Sequence, residues 1–555
     1  MPDAEEIDVL IIGGGINGCG TFRDLCAQGV TCLLLERDDF CAGASAASSR
    51  LMHGGLKYLE TGEFGLVRES LTERNRLLAN APHYVSALPT ILPLRSRFSG
   101  ILPSAKRFFG LPAKMTDRGS LITRAGLILY DVFGHRFRSM PVHRMLGRKA
   151  LEQRVSGLDA GIFAAGLYYE GQLSHAERLG LELVLDGEAL NPASRALNHA
   201  RVIAVQGDSV TFTHEGTLCT VRPRVVVNAG GAWIDSVNHD LGLASKLMGG
   251  SKGSHLIIDH PELYRALNGH MIYFGTADGR VNLCYPFMGR VLVGATDVPI
   301  EDPDDARCDA DELSYMLAAM RQIFPDLDLR EDHVRYRFCG VRPLPRADCD
   351  IGLVTRDHSI AELRFGQATP VLCLIGGKWT TFRAFSAEAT SRVLRHLGVT
   401  RRTDTADMAI GGGRDFPRTP AARTLWIDRV AAETGLARDR IDTLLSRYGT
   451  TAESIARACM GETMLVSLPD YSTEELCALC QTERVGTLAD LLLRRTLIAM
   501  SGRLTSDAIA ECARVAATAL GWSAEQQHRE IAAMELDQPS GYRASLQAPP
   551  RKAAG

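Results

Sequence analysis

His53, Arg342 and Lys378 are the side chains whose types and neighbours could carry a reaction. His53 lies in a loop of small residues and hydroxyls, Ala44-Ser45-Ala46-Ala47-Ser48-Ser49-Arg50-Leu51-Met52-His53-Gly54-Gly55-Leu56-Lys57-Tyr58-Leu59. An imidazole there can take a proton near neutral pH. Arg342, within Gly340-Val341-Arg342-Pro343-Leu344, offers a planar fork that grips an oxyanion at two points. Lys378 follows Gly376-Gly377 at the end of the apolar run Leu372-Cys373-Leu374-Ile375, and would bring positive charge to a group held on that turn. Lys57 and Tyr58, His255 in Lys252-Gly253-Ser254-His255 and Thr296 in Gly294-Ala295-Thr296-Asp297 are further candidate substrate ligands. A base, a hydride path and an anchor for an anion are what oxidation of an anionic alcohol needs. Each residue also has an ordinary reading: a core histidine, an arginine paired with a nearby acid, a Ser/Gly linker.

The elements that must position these groups begin at the N-terminus. Ile7-Asp8-Val9-Leu10-Ile11-Ile12 is a short β-branched run expected to form a buried parallel strand. Gly13-Gly14-Gly15-Ile16-Asn17-Gly18 follows at once and fits G-x-G-x-x-G. In that pattern Gly13 makes the tight turn, Gly15 lets backbone touch a pyrophosphate, and Gly18 lets helix pack on strand. The pyrophosphate then sits on the helix N-terminus, where free amides favour an anion. A helix to about Ala27 and a strand Thr31–Leu35 lead to Glu36, an acid placed for a ribose hydroxyl pair and hostile to a 2′-phosphate, which disfavours NADP.

After Glu36 no second strand–helix–strand unit of the kind a nicotinamide needs appears. Instead Ser45, Ser48, Ser49, Arg50, Gly54 and Gly55 form a loop that can lie against a flat ring and donate hydrogen bonds. Two distant segments read as further walls: the strand Val225-Val226-Val227 ending in Asn228-Ala229-Gly230, and the turn Gly376-Gly377-Lys378. Lys378 beside the N1 and C2 carbonyl of a flavin would favour its reduced, negatively charged form. The expected occupant is FAD.

On these motifs the chain resembles the FAD-dependent glycerol-3-phosphate dehydrogenases of the respiratory, quinone-linked kind, almost end to end. Ile12-Gly13-Gly14-Gly15-Ile16-Asn17-Gly18-Cys19-Gly20 is similar to the family's first signature, with Phe22 for a usual Ala and Gln28 for a usual Arg. Gly376-Gly377-Lys378-Trp379-Thr380-Thr381-Phe382-Arg383 resembles the second, with Phe382 for a usual Tyr. Arg50 and Lys57 stand where Lys and Arg are usual, and the acid pair expected within Tyr168–Arg178 is missing. The resemblance implies oxidation of sn-glycerol 3-phosphate to dihydroxyacetone phosphate with electrons passed to a quinone. The departures leave a related polyol phosphate such as erythritol phosphate open, and an oxygen-using oxidase would share the same residues, while the clustered His, Lys, Tyr and Arg argue against a flavin-binding regulator without turnover.

The resemblance also implies an α/β fold: a Rossmann-like FAD-binding domain (about 1–80, 165–240 and 340–395), an α+β substrate-covering domain (about 81–164 and 241–339) and a helical C-terminal domain over 415–540. Helical spacing over Ala421–Thr434, Ala437–Arg447, Ala452–Ala458 and Leu488–Ala499 agrees, while 541–555 has no core-forming pattern and is expected to be disordered. The acidic start Met1-Pro2-Asp3-Ala4-Glu5-Glu6 lacks the features of a secretory signal, so a cytoplasmic protein is expected. Fourteen scattered cysteines do not form a disulfide framework, and Cys477 with Cys480 reads as two buried thiols, so no metal is expected. The net charge of −3 hides an uneven distribution: Arg95 to Ala150 holds twelve Lys and Arg against Asp117 and Asp131. Leu121-Ile122-Thr123-Arg124-Ala125-Gly126-Leu127-Ile128-Leu129-Tyr130 within it suits docking on the anionic cytoplasmic face of an inner membrane, where quinone is found. A solvated basic face that draws in a phosphorylated substrate fits as well. Nucleic acid is not an expected partner; a homodimer is compatible with the sequence.

Overall fold

The computed structural model describes residues 4–56, 63–97, 119–134, 140–276, 279–346, 357–366 and 368–535. Lys57, Tyr58 and the tail lie outside them, as do Lys106, Arg107, Lys114, Arg118, Arg136 and Arg138 of the basic stretch.

The architecture is mixed α/β with a helical C-terminal part, as the sequence implies. Strand β1 (Glu5–Ile12), helix α1 (Ile16–Ala27) and strand β2 (Cys32–Leu35) form the N-terminal unit. In the first sheet β1 lies between β2 and Thr217–Asn228, with Thr369–Ile375 beyond the latter, all parallel. Register aligns Ile12 with Leu35 and with Asn228, and Asn228 with Cys373. The carboxyl ends of these strands therefore fall on one edge of the sheet, where open α/β sheets bind ligands. Their carboxyl-terminal halves, Val9–Ile12, Cys32–Leu35, Val225–Val227 and Val371–Ile375, are apolar because both faces are covered there. Helix α1 packs with Ala176–Leu190 and Phe382–Leu397 on one side, and one buried cluster joins these helices to Val9, Ile11 and Leu34. Ile7, Leu10, Ile12 and Leu33 face a second cluster on the other side.

A second sheet of ten mostly antiparallel strands stands over that edge, built around Met248–Ile258, Arg290–Gly294, Val281–Phe287, Val85–Leu94 and Ala164–Leu173. Here the expected boundaries shift. Ala164–Leu173 pairs along its whole length with Val85–Leu94, and Leu51–Met52 joins its far edge, so both belong to the second sheet. Val334–Pro345 also pairs there, along Met248–Ile258.

The helices Pro420–Thr434, Arg438–Tyr448 and Ala452–Ala458 form near the positions their spacing predicts. Leu488–Ala499 does not form a regular helix: a short helical start at 488–489 runs into the wide π-helical segment Asp490–Arg495, and the rest is turn. Arg494 and Arg495 both bind Asp39, at 2.5 to 2.8 Å. Consecutive side chains of an ordinary helix diverge by about 100°, so the wider winding lets both arginines reach one carboxylate. With the Arg178–Glu483 pair, bidentate at 2.7 Å, this fastens the C-terminal helices to the first sheet's helices. Their apolar core runs on into Ile257, Tyr285, Leu292 and Phe338 of the second sheet.

Candidate active site

Between the sheets runs a cleft of about 2280 Å³, counting its open mouth. One end is made of backbone. Gly13 has φ +107°, and a Cβ there would stand 2.6 Å from the Ala229 carbonyl oxygen, so only glycine fits. The first turn of α1 follows Gly15, and the Ile16 N–H donates to Ser45 Oγ at 3.0 Å. Glu36 ends the next strand; its carboxylate accepts from the Gly14 N–H at 2.6 Å and the Asp38 N–H at 2.9 Å. Enclosure by protein raises its carboxyl to about 7, against which those two hydrogen bonds pull. Arg37 lies over the Trp233 ring at 4.8 Å, and Trp233 Nε1 donates to Asp304.

The other end is made of side chains. His53, Ser49, His255, Arg342 and Lys378 all line it. Arg342 crosses Gly253, where any Cβ would collide with its guanidinium. It donates to Asp297 Oδ1 at 3.0 Å, the Thr296 carbonyl at 2.8 Å and the Lys252 carbonyl at 3.2 Å. His255 stacks on Phe338 with ring centroids 5.0 Å apart, and its Nε2 shares a 2.7 Å hydrogen bond with Ser49 Oγ. Burial, with the Arg342 and Arg50 charges nearby, lowers its imidazole to about 3, so it stays neutral. His53 keeps a side chain 41% exposed against a carboxylate, Glu170, that is 2% exposed; Nδ1 and Oε1 are 3.6 Å apart. Gly377, at φ +92°, packs against Asn17, whose Nδ2 donates to the Gly376 carbonyl at 3.0 Å. That contact ties the lysine turn to α1.

Of the residues the sequence nominated, Gly13, Gly15, Ile16, Asn17, Glu36, Ser45, Ser48, Ser49, Ala229, Gly230, Gly376 and Gly377 line the cleft with His53, His255, Arg342 and Lys378. Others support it from behind. Gly14 backs onto Phe40 and Glu36, and Gly18 onto the Gly13 carbonyl. Asn228 is fully buried and binds Ile234 and Asn238, and its Oδ1 accepts from the Gly230 N–H to shape the turn. Gly54 packs under the Tyr130 hydroxyl, and Gly55, at φ +85°, is a turn residue outside the lining.

Two nominations are corrected outright. Arg50 is fully buried, paired with Glu177 and bonded to the Ser174 carbonyl, because a guanidinium in the core must find an acid. Thr296 is buried with its hydroxyl spent on Glu312 and the Ser254 N–H; only its carbonyl serves the site, through Arg342. Glu170, Arg37 and Trp233 were not nominated. Glu170 had a signal, an acid inside an apolar strand; the Arg37–Trp233 contact spans two strand ends and had none. Among the described residues no cluster of His, Cys, Asp or Glu is placed to hold a metal.

The cleft fits FAD on its own geometry. Gly13 leaves no room for a side chain beside the α1 N-terminus, and Glu36, the acid such a fold uses for ribose hydroxyls, lines the same cleft. A family model for FAD dependent oxidoreductases matches residues 8–381, and one for the C-terminal domain of alpha-glycerophosphate oxidase matches 403–527. A glycerol-3-phosphate dehydrogenase of Synechocystis is 32% identical over 564 residues, covering 94% of this chain and 95% of that protein. The chain belongs to the FAD-dependent glycerol-3-phosphate dehydrogenase family. Within the same range of similarity, a D-erythritol 1-phosphate dehydrogenase of Brucella abortus is 33% identical over 522 residues, covering 89% and 95%. The family fold is shared with the glycerol-3-phosphate dehydrogenase of Bacillus halodurans complexed with FAD, at a TM-score of 0.73 and 23% identity over 96% of this chain and 94% of that one. The chain is thus a flavoprotein oxidoreductase, and Glu36, the α1 N-terminus, the Ala229–Gly230 turn and the Lys378 turn line one cleft.

Proposed function

We propose that this flavoenzyme oxidises sn-glycerol 3-phosphate to dihydroxyacetone phosphate and passes the electrons to a quinone. The observation that carries the reading is that His53 lines one cleft with Arg342 and Lys378, hundreds of positions further along the chain. FAD, when bound, supplies the hydride acceptor. His53 takes the hydroxyl proton of the substrate. Arg342, already aimed by Asp297 and two carbonyls, grips the phosphate. Lys378 brings positive charge to the cleft where the flavin ring would lie. His255, neutral and bonded to Ser49, holds the loop against the second sheet.

The Brucella relative favours a second reading, D-erythritol 1-phosphate or a similar polyol phosphate, and the absence of the usual acid pair agrees with it. Anaerobic bleaching of the flavin by a panel of polyol phosphates decides between them. Glycerol 3-phosphate should bleach fastest; faster bleaching by erythritol phosphate would replace it as substrate, and bleaching by neither would refute both.

Access to quinone gives the helix Ser120–Gly134 a role. It buries Thr123, Leu127 and Tyr130 and exposes Leu121, Ile128, Leu129 and Val132, with Arg124 exposed on the same helix. At fifteen residues it is too short to span a bilayer, and no described helix is long and apolar enough to do so. An apolar stripe beside cations suits peripheral docking on anionic lipid. Flotation with anionic vesicles at low salt, lost at high salt, is the expected result; no flotation in either would refute docking.

A further inference from the structure

The buried carboxylate behind His53 is left unexplained by any part of the cleft it does not touch. Glu170 stands in the middle of Ala164–Leu173, two residues after buried Tyr168 and on the same face of the strand. An ionised carboxylate in such a place must be paired or hydrogen-bonded. Its Oε2 is provided for: the Gly54 N–H donates at 2.8 Å, the Tyr130 hydroxyl at 3.0 Å, and Arg74 Nη1 stands 3.7 Å away. Arg74 also donates to the Tyr130 oxygen at 2.7 Å and to the Tyr169 carbonyl at 3.1 Å, so this side of the carboxylate is held by a fixed frame. The frame is built at some cost in sequence freedom, since any side chain at position 54 would displace the Tyr130 hydroxyl. Its other oxygen, Oε1, is turned to His53 Nδ1 at 3.6 Å.

We propose that Glu170 is the positioning carboxylate of His53: it holds Nδ1–H toward itself, leaves Nε2 as the atom that takes the substrate proton, and stabilises the imidazolium that results. The proposal rests on the reading of His53 as base. A carboxylate behind an imidazole sets both its tautomer and its orientation. The 3.6 Å separation is one that closes to a hydrogen bond when substrate fills the cleft, as catalytic contacts commonly do. The balance is simple: one proton passes from the substrate hydroxyl to Nε2, and Glu170 remains ionised throughout.

The test is anaerobic stopped-flow reduction of the bound flavin by glycerol 3-phosphate, with pH profiles, in holoenzyme variants whose FAD content is checked by absorbance. Glu170→Gln keeps the shape and should slow reduction by roughly a hundredfold or more. The acid limb of its profile should move to lower pH, because an imidazolium loses its neighbouring countercharge. Glu170→Asp, which keeps the charge but withdraws it by one methylene, should fall between. In a His53→Ala background Glu170→Gln should change the rate by no more than about twofold, since residues acting through one another are not additive. An unmoved profile in Glu170→Gln, or its full loss of rate repeated on top of His53→Ala, would overturn the proposal while leaving His53 as base. A wild-type rate in His53→Ala alone would remove the base itself, and Glu170's role with it.

Discussion

At the ribose end of the cleft the walls are chiefly main chain: the Gly13 turn, the first amides of α1 and the Ala229–Gly230 turn, joined by the side chains of Glu36, Arg37 and Trp233. At the substrate end they are side chains from four separate stretches, each propped by others: Arg342 by Asp297, His255 by Phe338 and Ser49, His53 by Glu170. A backbone cradle tolerates no added atom, whereas a side-chain constellation degrades one contact at a time.

Substitutions at the two ends should differ accordingly. Gly13→Ala places a Cβ 2.6 Å from a carbonyl oxygen at a φ only glycine adopts freely, so the protein should purify without flavin; a normal flavin-to-protein absorbance ratio would contradict the backbone account. Arg342→Ala should keep its flavin and raise KM for the phosphorylated substrate by roughly 30- to 150-fold, the equivalent of about 2–3 kcal/mol for lost charged hydrogen bonds. Unchanged steady-state kinetics would take Arg342 out of the substrate end. Glu36 offers a pH test. Because its carboxyl is raised to about 7, the apoprotein's fold is favoured while Glu36 is protonated and loses that advantage as pH rises through the interval to 7. Ribose hydroxyls donate to the charged form, so FAD affinity of the apoprotein should rise roughly tenfold from pH 6 to pH 8. Glu36→Gln should flatten that slope in a fluorescence titration. The smallest effect is expected at Ser49→Ala, which removes one hydrogen bond to a neutral histidine: about 1 kcal/mol, or roughly fivefold in kcat/KM.

The same contrast explains what could be read before the fold was known. The strand, glycine turn, helix and closing acid of residues 7–36 are local, and each residue's duty follows from the chain on either side of it. So does the helical run from Pro420 to Ala458, whose spacing names its buried face. The substrate end was legible only as a set of residue types. Arg50 shows why: an arginine in the flavin loop looks like a ligand until the fold brings Glu177 beneath it. Thr296 shows the reverse, a motif residue whose backbone rather than hydroxyl serves the site. The split of Ala164–Leu173 and Leu51–Met52 into the second sheet was hidden for a similar reason, since pairing partners lie far apart in the chain.

The bond from Asn17 to the Gly376 carbonyl joins positions 359 residues apart. A ribosome adding about 5–20 residues per second finishes the glycine turn roughly 20 to 70 seconds before it makes the turn that packs on it. During that interval β1 also waits for Thr217–Asn228, its central parallel partner. The nascent chain therefore carries an open strand edge until residue 228 of 555 and an incomplete cradle until residue 376, and the cradle can capture cofactor only after that turn has been made. Flavin thus meets a chain in which both distant turns have already been made, and the long-range pairing that delays it is slow to form.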